Sequence, residues 1–136
     1  MSRASLYQLL YVDASNASAG TLGAIGLLPG SIYTTGVDTP KGDTFLIIKF
    51  DDMRRGMGAS NRTNVTIWVY DTNKDYRRIE QMLRRIRQLF EGTEATQTDT
   101  GWITAIRWTG DGADLFDDVY RASVRNSAFQ MIDSGR

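Results

Sequence analysis

Apolar positions change their spacing along the chain, and each change predicts an element. Over residues 4–18, Leu6, Leu9, Leu10, Val12 and Ala17 fall at loose helical spacing, with Ser2 or Ser5 available as a cap. Residues 19–30 carry too many glycines and a proline for a regular element, and predict a connecting segment whose apolar residues pack on the core. Residues 31–37 read as a short strand, and the turn-forming residues 38–43 end it. Residues 44–50 are apolar on both faces, the pattern of a covered strand. In residues 64–71, Val65, Ile67 and Val69 face one way while Trp68 and Tyr70 face the other. The two strands predict an antiparallel hairpin.

The clearest helix spans residues 75–91. Ile79, Met82, Leu83, Ile86, Leu89 and Phe90 recur every three or four residues, Asp75 stands at the cap and Gly92 at the stop. A polar linker over residues 93–100 follows, then a strand at 102–108, an acidic glycine-bearing loop at 109–118 and a last strand at 119–132 with Tyr120, Ala122 and Val124 on one face. Helices and strands that do not alternate strictly predict an α+β domain, a largely antiparallel sheet with two helices packed on it. The whole of residues 1–136 fits a single domain that buries its own core.

Composition narrows the chemistry. Sixteen basic residues balance sixteen acidic ones, so no bulk positive field drives nucleic-acid binding. The chain has neither Cys nor His, which removes disulfides, thiolate metal sites and the commonest general base. Residues 1–7 do not read as a signal peptide, and no apolar run approaches the roughly 20 residues of a membrane span. A soluble, non-catalytic protein without metal or cofactor is expected.

Individual constellations agree. The acids from Asp111 to Asp118 lack the ligand spacing of a calcium loop and read as a solvated turn. Asp51–Asp52 and Asp117–Asp118 are sequence neighbours that a strand would point to opposite faces, so neither is a carboxylate dyad. On the long helix, Glu80 and Arg84, and Arg87 and Glu91, have ion-pair spacing. Arg77, Arg78, Arg84 and Arg85 form either a solvated face or a subunit contact, for which Asp114 and Asp117 are the available acidic partners in a head-to-tail ring. Trp68, Tyr70, Trp102 and Trp108 raise a further reading, a platform on which single-stranded nucleic acid stacks, although no RNA-recognition signature accompanies them.

One resemblance covers most of the chain. Ile32–Tyr33, the turn Thr39-Pro40-Lys41-Gly42-Asp43, the apolar strand Phe45 to Phe50, the strand Thr66 to Asp71, the helix from Tyr76 to Ile86 and the ending Tyr120 to Arg125 together resemble the tail terminator, or tail completion, proteins of long-tailed phages. The resemblance implies a tail-terminator-like fold and a virion protein of the tail or neck, assembled in the host cytoplasm. It implies a homo-hexameric ring that caps the tail tube protein, ends tube polymerisation and offers its other face to the head-side connector or stopper protein. DNA would pass through the ring without sequence-specific binding. It also gives the segment Asp51 to Ser60 a role, with Asp52, Met53, Arg54, Arg55, Gly56 and Met57 projecting to contact the tail tube. The competing neck role is a head-tail stopper or connector adaptor subunit.

Overall fold

The computed structural model describes residues 2–34, 40–55, 61–91, 96–98 and 101–133, with side chains over 6–34, 40–50, 63–91 and 106–131. Helix α1 (Ser2–Ala14) leads to a short helix α2 (Leu22–Ile25) and a single 3₁₀ turn (Pro29–Ser31). Strands β1 (Ile32–Tyr33), β2 (Thr44–Arg55) and β3 (Asn61–Asp71) precede the long helix α3 (Tyr76–Glu91). Strands β4 (Thr96–Thr98), β5 (Gly101–Asp111), β6 (Leu115–Asp117) and β7 (Ala122–Asp133) complete the chain. The sheet runs β1-β2-β3-β7-β5-β4, with β6 also on β7. Every pairing is antiparallel except β1 with β2.

The expected α+β architecture is present, with differences at the element ends. α1 stops at Ala14 because the Asn16 side chain accepts the Ser18 N–H (2.9 Å) and starts a turn there; Ser5 therefore lies inside the helix and Ala17 beyond it. The glycine-rich segment forms α2 rather than a plain connection. Thr21 caps it by accepting the Ala24 N–H (3.3 Å), and Gly26 ends it at φ 121°. The polar linker contains β4, and the acidic loop contains β6. Asp75 caps α3 as expected, accepting the N–H groups of Arg77 (3.0 Å) and Arg78 (3.4 Å), while the expected stop at Gly92 lies outside the described residues.

Two clusters cover the two faces of the sheet. On the helix side, Leu46, Ile48, Val65, Ile67, Val69, Phe129 and Met131 meet Leu6 and Leu10 of α1 and Ile79, Met82, Ile86 and Phe90 of α3. Each such large apolar side chain, fully buried, contributes about 1.5–3 kcal/mol relative to exposure. The opposite face is closed by aromatic rings. Phe45 stacks on Tyr70 (4.7 Å between centroids) and takes Tyr120 edge-on at 5.1 Å, over Ile47, Ala122 and Val124. Val65, Ile67 and Val69 thus face the helices while Trp68 and Tyr70 face away, as their alternation predicts.

The β5–β6 arm is longer than the stretch of β7 it lines. Between Ile103 and Ala105 and between Trp108 and Gly110 the register slips by one residue, and a third extra residue separates Asp111, opposite Ser127, from Leu115, opposite Val124. The first two are bulges, after each of which the alternation of side chains resumes on the other face. Trp108 and Asp111, three apart, consequently share the helix side, and the Trp108 indole N–H donates to Asp111 Oδ1 (2.9 Å).

Candidate assembly surfaces

β2 and β3 pair well past the end of the apolar pattern. The ladder resumes at Met53 opposite Thr63, Arg54 opposite Arg62 and Arg55 opposite Asn61, after a slip between Phe50 and Met53 that makes Asp51–Asp52 the site of a bulge. Asp52, Met53, Arg54 and Arg55, expected on a loop, therefore stand on a strand; Gly56 and Met57 lie outside the described residues. β7 continues beside this arm, pairing Asn61 with Asp133. Two flanking ladders make the arms of the hairpin part of the sheet rather than a free loop.

On α3 the arginines have separate fates. Arg85 reaches back to α1, its Nη2 2.7 Å and its Nε 3.0 Å from the two carboxylate oxygens of Asp13, and Asp13 Oδ2 also accepts the Leu22 N–H at 2.8 Å. Burial raises the Asp13 pKa, but the Arg85 hydrogen bonds, the Leu22 N–H and the Arg85 charge outweigh it, and the net shift is downward; the same pairing raises that of Arg85. One carboxylate thus joins α1, α2 and α3. Glu80, expected to pair with Arg84, instead meets Arg125 of β7 (3.1 Å), because β7 brings a guanidinium nearer than the next helical turn does. Arg87 pairs with Glu91 (2.9 Å) as expected, and its guanidinium also lies 3.9 Å from the centroid of the Trp108 ring. Arg77 and Arg84 are exposed and, among the described residues, have no ion-pair partner.

Of the acids expected opposite these arginines, Asp114 lies 3.7 Å from Arg125, and Asp117 accepts the Tyr120 N–H (2.9 Å) to hold the turn into β7. Arg125 thereby links Glu80 and Asp114 on one flank of α3. On that flank a cleft of about 210 Å³ is lined by Glu80, Leu83, Arg84, Arg87, Asp111 and Arg125, among others. On the other flank, toward α2, a second cleft of about 350 Å³ is lined by Gly20, Ile25, Gln81, Arg84, Arg85 and Gln88. Arg84 borders both.

A chain from the virion of a native gene transfer agent particle superposes with a TM-score of 0.70, covering 96% of this chain and 92% of that one at 14% identity. The fold is shared with a virion protein. No protein-family model and no curated protein sequence matches the chain. The likeness to the virion chain runs nearly end to end, so it includes the β2–β3 hairpin, α3 and the β5–β7 arm as one unit.

The aromatic side chains do not make a common platform. Trp68 packs with the Phe45–Tyr70 cluster on one face, whereas Trp108 is on the other beneath Arg87, and the Trp102 side chain lies outside the described residues. Among the described residues no group of three or more acids is arranged to hold a metal ion, and no helix is long and apolar enough to cross a membrane.

Sequence reasoning missed one further surface. At the end of the sheet away from the Arg55–Asn61 pair, Leu115, Phe116 and Val119 are 49%, 48% and 87% exposed. Their only advance signal was the apolar pair inside an otherwise acidic stretch.

Proposed function

We propose that this chain is a structural protein of a phage-type virion, a tail terminator whose copies close into a hexameric ring on the last ring of tail tube subunits. The observation that carries the reading is the likeness to a virion chain, which covers 96% of this chain and 92% of that one. The chemistry of the two ends of the sheet supports it. The hairpin segment Met53 to Arg62 holds three arginines, two methionines and no acid, a composition suited to an acidic, partly apolar partner such as the rim of a tube. The opposite end offers apolar residues among acids, a different surface suited to a contact within the ring. A balanced net charge suits a ring through which DNA passes without being held.

Light scattering of the purified protein, with and without tail tube protein, tests the reading. A hexamer, alone or on the tube, is expected, and electron micrographs of particles lacking the protein should show overlong tubes. Full heads that leak DNA beside separate tails of normal length would instead identify a stopper.

A further inference from the structure

The end of the sheet formed by the β6–β7 turn is unusual in two independent ways. It exposes Leu115, Phe116 and Val119 together, and Val119 is the most exposed large apolar side chain among the described residues. It also holds both described non-glycine residues with positive φ, Arg121 at 51° and Lys74 at 60°. Such backbone is costly and persists only where its surroundings fix it. Here they do. Tyr120 is drawn into the aromatic cluster, Asp117 holds the Tyr120 N–H, and the Tyr76 hydroxyl donates to the Leu115 carbonyl (2.6 Å). With Tyr120 drawn inward, its neighbour Val119 is presented outward on an ordered turn. The knob is flanked by Asp114, Asp117 and Asp118.

The α2–α3 cleft has the complementary character. Ile25 supplies an apolar wall, Gln81 and Gln88 supply hydrogen-bonding groups, and Arg84 supplies a cation without a partner among the described residues. Arg77 and Arg78 extend the positive charge along α3, and among the described residues no acid lines the cleft. Arg84 lies about 12 Å along the helix from Tyr76, beside which the knob sits. The cleft is on the α2 flank and Asp114 is tied to the β7 flank. Knob and cleft are therefore distinct surfaces of one chain, as a head-to-tail contact requires.

We propose that the knob of Leu115, Phe116 and Val119 of one copy seats against the α2–α3 cleft of the next copy, its flanking carboxylates facing Arg84 and Arg77. The contact deepens the ring reading and rests on it. Apolar side chains in the centre with charged groups at the rim are the anatomy of a specific interface, and the charges set its direction.

The absence of cysteine makes the test direct. A chain carrying both Val119→Cys and Gln88→Cys, two exposed positions, is treated with a short thiol-specific bifunctional crosslinker under the conditions in which the wild type assembles. The expected result is a covalent ladder of three or more copies ending at six, with each single-cysteine chain giving no species beyond a dimer. Adding Arg84→Glu should abolish the ladder. If wild type forms a hexamer by light scattering yet the double-cysteine chain gives no ladder, this contact is refuted and the ring reading stands. A ladder that runs past six supports the contact and refutes the hexamer. A wild type that stays monomeric with and without tube protein refutes both.

Discussion

Replacing Asp13 by alanine removes three hydrogen bonds at once from a side chain that is 93% buried, two from Arg85 and one from the Leu22 N–H. The Leu22 N–H is then buried without an acceptor, which costs about 1–3 kcal/mol. Arg85 keeps 27% of its side chain exposed, so water recovers part of its solvation and the loss falls short of the 3–5 kcal/mol typical of breaking a fully buried pair. A net destabilisation of about 2–3 kcal/mol follows, equivalent to a fall in Tm of roughly 7–10 °C for a chain this size. Asp13→Asn, which keeps an acceptor for Leu22 but no charge for Arg85, should lose less. The effect depends on pH in a defined sense. Because the folded-state pKa of Asp13 is depressed below 3.8, its ionised form contributes full stability above that value and loses it as pH falls through the folded-state pKa. Denaturant melts of wild type and Asp13→Ala at neutral pH and in acid measure both effects. A variant within about 0.5 kcal/mol of wild type at pH 7, the usual range for an uninvolved surface site, would refute the idea that this carboxylate joins three helices.

Other substitutions probe the remaining supports. Phe45→Ala should cost about 3–5 kcal/mol in urea melts, because the ring lies fully buried between Tyr70 and Tyr120 on the face without helices; a loss under 1 kcal/mol would mean that this face adds little to the fold. Gly23→Ala places a Cβ against the carbonyl oxygens of Asn16 and Ala14, backbone atoms that cannot swing aside, and should cost about 1–3 kcal/mol where Ala24→Ser costs little. Burial, with Asp117 and Tyr120 nearby, pushes the Tyr70 hydroxyl up to about 12, so one of the six tyrosines should ionise late in an ultraviolet titration and Tyr70→Phe should remove that step. The unfolded chain loses this proton first, near 10, so stability falls as pH rises from about 10 to about 12.

Where the sequence was informative, local periodicity and packing agreed. The alternation of Val65, Ile67 and Val69 with Trp68 and Tyr70 assigned both faces of β3 correctly, and the spacing from Ile79 to Phe90 with Asp75 before it located α3. What it missed depends on groups distant in the chain. α2 is four residues long, too short for any period, and is held by the Thr21 cap. β2 continues through polar residues to Arg55 because β3 pairs with it there, not because its own pattern demands a strand. Helical spacing assigned Glu80 to Arg84, but Arg125, 45 residues on, is the partner that folding delivers. Arg85 could not be separated from the other arginines until its partner Asp13, 72 residues away, was known. The knob was hidden by its acidic neighbours, and only the inward pull of Tyr120 makes its exposure intelligible.

The three extra residues in the β5–β6 arm set a rule for how this chain can change length. Deleting Thr109, which the ladder leaves unpaired, would let Gly110 follow Trp108 opposite Ala128 and keep Asp111 opposite Ser127, on the side of Trp108 and Ser127, both of which donate to it. Deleting a paired residue instead puts the residues after it out of step with β7 and exchanges their outward and inward sides as far as the next bulge. Single-residue changes of length in this arm are thus tolerated at its bulges far better than at its paired positions. Homologues should vary by single residues at Thr104 and Thr109 and keep their length between them, a pattern that an alignment can reveal without a single further structure.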